Sequence, residues 1–80
     1  MTATQQILEF INENLAPRGG PVGDDDSLFS AGRLDSFGLL ELVNFVQKSL
    51  GWALEDFEII DNNLDSVAAI VAYAEERERS

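Results

Sequence analysis

Apolar positions along the chain fall into helical groups separated by turn-forming residues. Ile7, Leu8, Ile11 and Leu15 stand at i, i+1, i+4 and i+8, with Phe10 beside them, which is one face of a helix. This spacing predicts a helix over about Thr4 to Ala16. Thr2 and Gln5 have capping-box spacing ahead of it, and Pro17, Gly19 and Gly20 end it. A second helix is predicted from Ser36 to about Ser49, with Gly51 as its stop. A third segment, Asp56 to Asp61, has room for about a turn and a half, with Phe57 and Ile60 expected to pin it inward. The last helix begins near Asp65 or Ser66, both good caps, and is expected to bury Val67, Ile70, Val71 and Ala74. Arg77 and Arg79 in its last turn complement the helix dipole.

Between Pro17 and Asp35 the periodicity vanishes. Gly19, Gly20, Pro21 and Gly23 break the backbone, Asp24 to Asp26 keep it wet, and Leu28, Phe29 and Leu34 are expected to hold it over the core. Loops this long are uncommon in small domains and tend to be functional or disordered; the apolar anchors favour order. The chain has no alternating strand pattern, repeat or low-complexity tract. The expected fold is all-α: a small four-helix bundle of three longer helices and one short third helix, with a long loop between helices one and two. Residues 1–80 read as a single domain, and a chain this short builds one modest core.

Composition narrows the chemistry. Fifteen Asp and Glu against five Lys and Arg give a net charge of −10, which disfavours binding to nucleic acid or to an anionic membrane surface. An acidic surface instead steers basic protein partners toward it and resists self-association, so a monomer is expected. There is no Cys and no His, so a thiolate nucleophile, a disulfide, a Cys-based zinc site and the commonest general base are all missing. The chain is therefore not expected to be an enzyme. No positive n-region or long apolar stretch marks a secretory signal or a membrane span, so a cytoplasmic protein is expected. Asp24 to Asp26 do not begin a calcium loop, because position 6 would be Phe29 rather than Gly and position 12 Asp35 rather than Glu.

On a helical wheel of the second helix, Leu42, Val46, Leu39, Leu50 and Val43 form one compact apolar stripe. Phe37 and Leu40 fall on the far side, with Glu41, Asn44 and Lys48. Either the long loop folds back over them or they form an exposed docking patch; geometry alone leaves both readings open. At Leu34-Asp35-Ser36 the loop becomes helix, and Asp and Ser there read first as capping residues. A hydroxyl at that position also sits in the positive potential of a helix N-terminus, where a phosphodiester would be favoured. Arg33 reads as an exposed loop arginine or as a contact for such a phosphate.

The stretch Gly32-Arg33-Leu34-Asp35-Ser36-Phe37-Gly38-Leu39-Leu40-Glu41-Leu42 resembles the Asp-Ser-Leu motif region of acyl carrier proteins. Asn63-Leu64-Asp65-Ser66-Val67-Ala68-Ala69-Ile70 is similar to the start of that family's last helix, so the resemblance covers nearly the whole chain. It implies a phosphopantetheine-dependent carrier. A phosphopantetheinyl transferase would move 4′-phosphopantetheine from coenzyme A onto Ser36. The arm's thiol would then hold an acyl or aminoacyl group as a thioester between a loading ligase and downstream transferring or modifying enzymes. By position, Asp35, Phe37, Leu40, Glu41 and Asn44 would dock those partners. A chain without Cys handles thioesters only if the sulfur arrives on a cofactor. Gly38, Asn44 and Lys48 depart from fatty-acid carriers, and Ser-Phe-Gly looks more like free-standing carriers of an amino acid or a specialised acid, the D-alanyl carrier type included. The alternative from composition alone is an acidic helical adaptor or inhibitor that covers a basic protein surface.

Overall fold

The computed structural model describes residues 2–79, with side chains to residue 77. Arg79, expected to complement the dipole of the last helix, has its side chain outside the described residues. Four helices follow in order: α1 (Ala3–Phe10), α2 (Ser36–Ser49), α3 (Asp56–Asp61) and α4 (Val67–Arg79). The radius of gyration is 11.4 Å, close to the roughly 11.6 Å of a compact chain of this length. Among the described residues, no helix is long and apolar enough to cross a membrane.

α1 opens with the expected capping box: Gln5 N–H donates to Thr2 Oγ1 at 3.1 Å and Thr2 N–H to Gln5 Oε1 at 3.0 Å. It ends earlier than its apolar spacing predicts. From Ile11 to Leu15 the chain runs on as a π-helical turn and stops at Ala16, at φ 44°. The cause lies outside the helix. Asn12 bonds both backbone groups of Val22, accepting from its N–H at 2.8 Å and donating to its carbonyl at 3.0 Å. A side chain engaged in this way holds the last turn wide, as single π turns commonly do where a tertiary contact intervenes.

α1 packs on both α2 and α4, and α3 packs on α2. Ile7 and Ile11, Leu42 and Val46, and Val67 and Ile70 are fully buried at the centre. Leu28, at the same depth, is the main anchor of the 17–35 loop, joined by Val22 and Leu34. Gly51, at φ 69°, takes the chain out of α2 in a conformation that a side chain would oppose. α3 corrects the expectation for its inward face. Ile59 is buried, while Phe57 and Ile60 are exposed. Glu58 sets the phase, because its carboxylate accepts from Tyr73 of α4 at 2.8 Å and pairs with Arg77. With Glu58 held against α4, Ile59 faces the core and Phe57 and Ile60 face outward. The Arg77 hydrogen bond holds the Glu58 carboxyl below its ordinary range, and the bond to Glu58 pushes the Tyr73 hydroxyl up.

Candidate functional site

The 17–35 loop delivers Ser36 to the surface, and three polar ties fix its course. The first is Asn12 to Val22. The second is Arg33, whose guanidinium donates to the carbonyls of Arg18, Gly20 and Pro21. Neither reading of Arg33 from sequence describes this: it is a half-buried staple within the loop. The third is Asp65. One carboxylate oxygen accepts from the N–H groups of Phe29 at 2.7 Å and Ser30 at 3.0 Å, and the other accepts from the Ser27 hydroxyl. Burial opposes charge on Asp65, but the bonds from Ser27, Ser30 and Phe29 outweigh it and hold its carboxyl below the ordinary value. Ser66 caps α4 instead, its Oγ accepting from Ala69 N–H at 3.1 Å.

At the end of this loop Asp35 is the N-cap of α2. Its Oδ1 accepts from Gly38 N–H at 2.9 Å, and its backbone carbonyl accepts from Leu39 N–H. The amides of Ser36 and Phe37 are left without an acceptor among the described residues, so the helix presents two N–H groups and its positive end at Ser36. Ser36 is exposed, and its hydroxyl has no hydrogen-bond partner among the described residues. Gly38 is buried beneath it; a Cβ there would stand 3.3 Å from Leu34 Cβ. Glycine, poor for helix propensity, spares Leu34 the shift of a few tenths of an ångström that a side chain here would demand.

Beside Ser36 lies a cleft of about 450 Å³ between the loop and α3. Leu34, Leu39, Ile59 and Leu64 supply apolar lining, and Phe29 and Ile60 line it as well. Asp35, Ser36 and Asp65 contribute polar atoms. Sequence reasoning had no signal for this cleft, which depends on which face α3 turns inward.

The other side chains named from sequence lie on the outer face of α2. Phe37 is 69% exposed and Leu40 54%, so the loop does not cover them. Asp35 and Asn44 are exposed too, and Glu41 is half-buried. Phe57 and Ile60, 51% and 64% exposed on α3, add large apolar side chains that sequence reasoning placed inward. Among the described residues, no group of three or more carboxylates is placed to hold a metal ion. Comparison with protein families, with characterised proteins and with solved structures gives no significant match.

Proposed function

We propose that this chain is a carrier protein whose Ser36 bears 4′-phosphopantetheine, drawn from coenzyme A, and through it an acyl or aminoacyl thioester passed between partner enzymes. The observation that carries this reading is the free, exposed Ser36 hydroxyl at an N-terminus with two unengaged amides. An ordinary capping serine would use its oxygen on the backbone; here Asp35 does the capping and Ser36 is left available. A phosphodiester on Ser36 would meet the amides of Ser36 and Phe37 and the helix dipole, a contribution of about 0.3–1 kcal/mol. The adjoining cleft is wide enough for part of an arm and apolar enough to shelter it. The group would supply the thiol that the chain lacks. The chain's own residues present the attachment oxygen and a docking face.

Phe37 and Leu40, with Asp35, Glu41 and Asn44 around them, make an apolar patch edged by acid. This suits transferases and ligases with an apolar site rimmed by basic residues. The finer fold reading, a carrier-type four-helix bundle whose long loop presents the serine, belongs to the same proposal. The absence of Cys and His supports a chain that serves other enzymes instead of catalysing.

The test is to incubate the protein with coenzyme A and a promiscuous phosphopantetheinyl transferase and to measure the intact mass. The expected gain is about 340 Da, the mass of the arm, absent in Ser36→Ala. No gain in the unaltered protein would overturn the carrier reading and leave an acidic adaptor domain as the better account of the exposed patch.

A further inference from the structure

A second surface lies behind the candidate site. Phe45 follows Ser36 by nine positions on α2, which at about 100° per residue puts it on the opposite side of the helix. There its ring stacks on Phe10 of α1, with centroids 4.3 Å apart and planes 15° apart. The two rings are half-buried. They help line a shallow groove of about 310 Å³ shared with Gln6, Glu9, Glu13 and Asn14. Glu9 and Glu13 are exposed, and neither has a cationic partner among the described residues. The π-helical turn that contains Glu13 is already explained by the tie from Asn12 to Val22 and contributes nothing to the case.

We propose that this groove docks an arginine-bearing segment of a partner protein, its aliphatic stem lying along the Phe10–Phe45 rings and its guanidinium beside the carboxylates of Glu9 and Glu13. Charge complementarity selects the occupant. An apolar side chain seated there would strip water from two carboxylates and return no hydrogen bond. An anionic one would be repelled. A guanidinium suits both surfaces: it is weakly hydrated enough to rest against ring surface, and its fork of N–H donors matches the two carboxylates beside the rings. Its aliphatic stem covers ring surface that would otherwise stay wet. Lysine offers the charge without the planar fork and is the weaker occupant. A second copy of this chain is disfavoured by its net charge of −10. The proposal uses none of the residues around Ser36, so it stands or falls separately from the carrier reading.

The test is a nuclear magnetic resonance titration of the ¹⁵N-labelled full chain, at low ionic strength, with the peptide acetyl-Leu-Arg-Leu-amide. The same peptide with citrulline for arginine is the uncharged control. Amide shifts are expected to concentrate on residues 6–14 and around Phe45. Exposed ion-pair contacts are individually weak, so affinity should fall by about tenfold in the Glu9→Gln, Glu13→Gln double variant and with the citrulline peptide. Both replacements are on the surface and near-isosteric, so an unchanged melting temperature shows that the fold is kept. Phe45→Leu should weaken binding as well while sparing the carboxylates. Absence of shifts would overturn the proposal. So would shifts spread equally over Asp24 to Asp26 and the acids of α3, or shifts indifferent to the double variant. Peptide-independent, concentration-dependent shifts at the groove would instead assign it to a second copy of the chain and overturn the partner proposed.

Discussion

Asp65→Ala should lower the melting temperature by roughly 12–24 °C at neutral pH. The carboxylate takes three hydrogen bonds from a loop that has no regular structure of its own. Hydrogen bonds to a charged group are worth about 1.5–3 kcal/mol each and are not additive, so a loss of about 3 kcal/mol is expected. In a domain of this size each kcal/mol moves the midpoint by roughly 4–8 °C. Asp65→Asn keeps an acceptor for Phe29 and Ser30 without the charge, and should fall between the two. The pH dependence has a definite sign. The folded-state pKa of Asp65 is depressed, so its contribution is present above the unfolded carboxylate value of about 4 and is lost as pH falls through the lower folded value. Thermal melts from pH 7 to pH 2 should show the unaltered protein losing stability across that acid window, with a shallower loss in Asp65→Asn. A variant that melts within two or three degrees of the original at pH 7 (about half a kcal/mol) would mean that the loop is held by its apolar anchors alone.

The second large effect separates two leucines on one helix. Leu42 is fully buried and Leu40 is 54% exposed. Leu42→Ala should cost about 2–5 kcal/mol, the range for deleting a buried leucine side chain and leaving a cavity. For 80 residues, typical stability is roughly 4–12 kcal/mol, so this one change removes much of the margin. Leu40→Ala and Phe37→Ala should change stability by less than about 0.5 kcal/mol, as surface substitutions do. Chemical denaturation measures all three. On the carrier reading, the two surface variants should nevertheless slow modification by the transferase several-fold. A large stability loss in Leu40→Ala would place that side chain in the core and remove it from the docking face.

Much of this architecture was legible in the residues. α2 runs from Ser36 to Ser49 and α3 from Asp56 to Asp61, as punctuation and periodicity predict, and α4 buries Val67, Ile70, Val71 and Ala74. What escaped depends on contacts between distant segments. The π turn ending the first helical segment answers to a bond between Asn12 and Val22 that leaves no trace in apolar spacing. The inward face of α3 was misread because six residues carry too little periodicity to fix a phase; Phe57 and Ile60 look like a helical pair, and Glu58 decides otherwise. Asp65 and Ser66 are equally good caps on paper, and the loop residues opposite determine which one caps. That Phe37 and Leu40 lie away from the core stripe was legible because α2 is long and well phased; that the loop leaves them uncovered was not. Nor was the cleft beside Ser36, since its α3 wall is the element whose orientation the sequence conceals.

The staple made by Arg33 also bears on proteolysis. A protease must draw about eight to ten residues of chain (an extended span of roughly 30 Å) into its active site. A trypsin-like enzyme must also take an arginine side chain out of whatever holds it. Arg33 is bound to three carbonyls of the same loop, and Arg18 lies next to the closed turn at Gly19 and Gly20. Cutting at either requires the segment to peel away first, so a stretch that looks like an easily nicked linker by composition should survive limited digestion about as long as the helices around it.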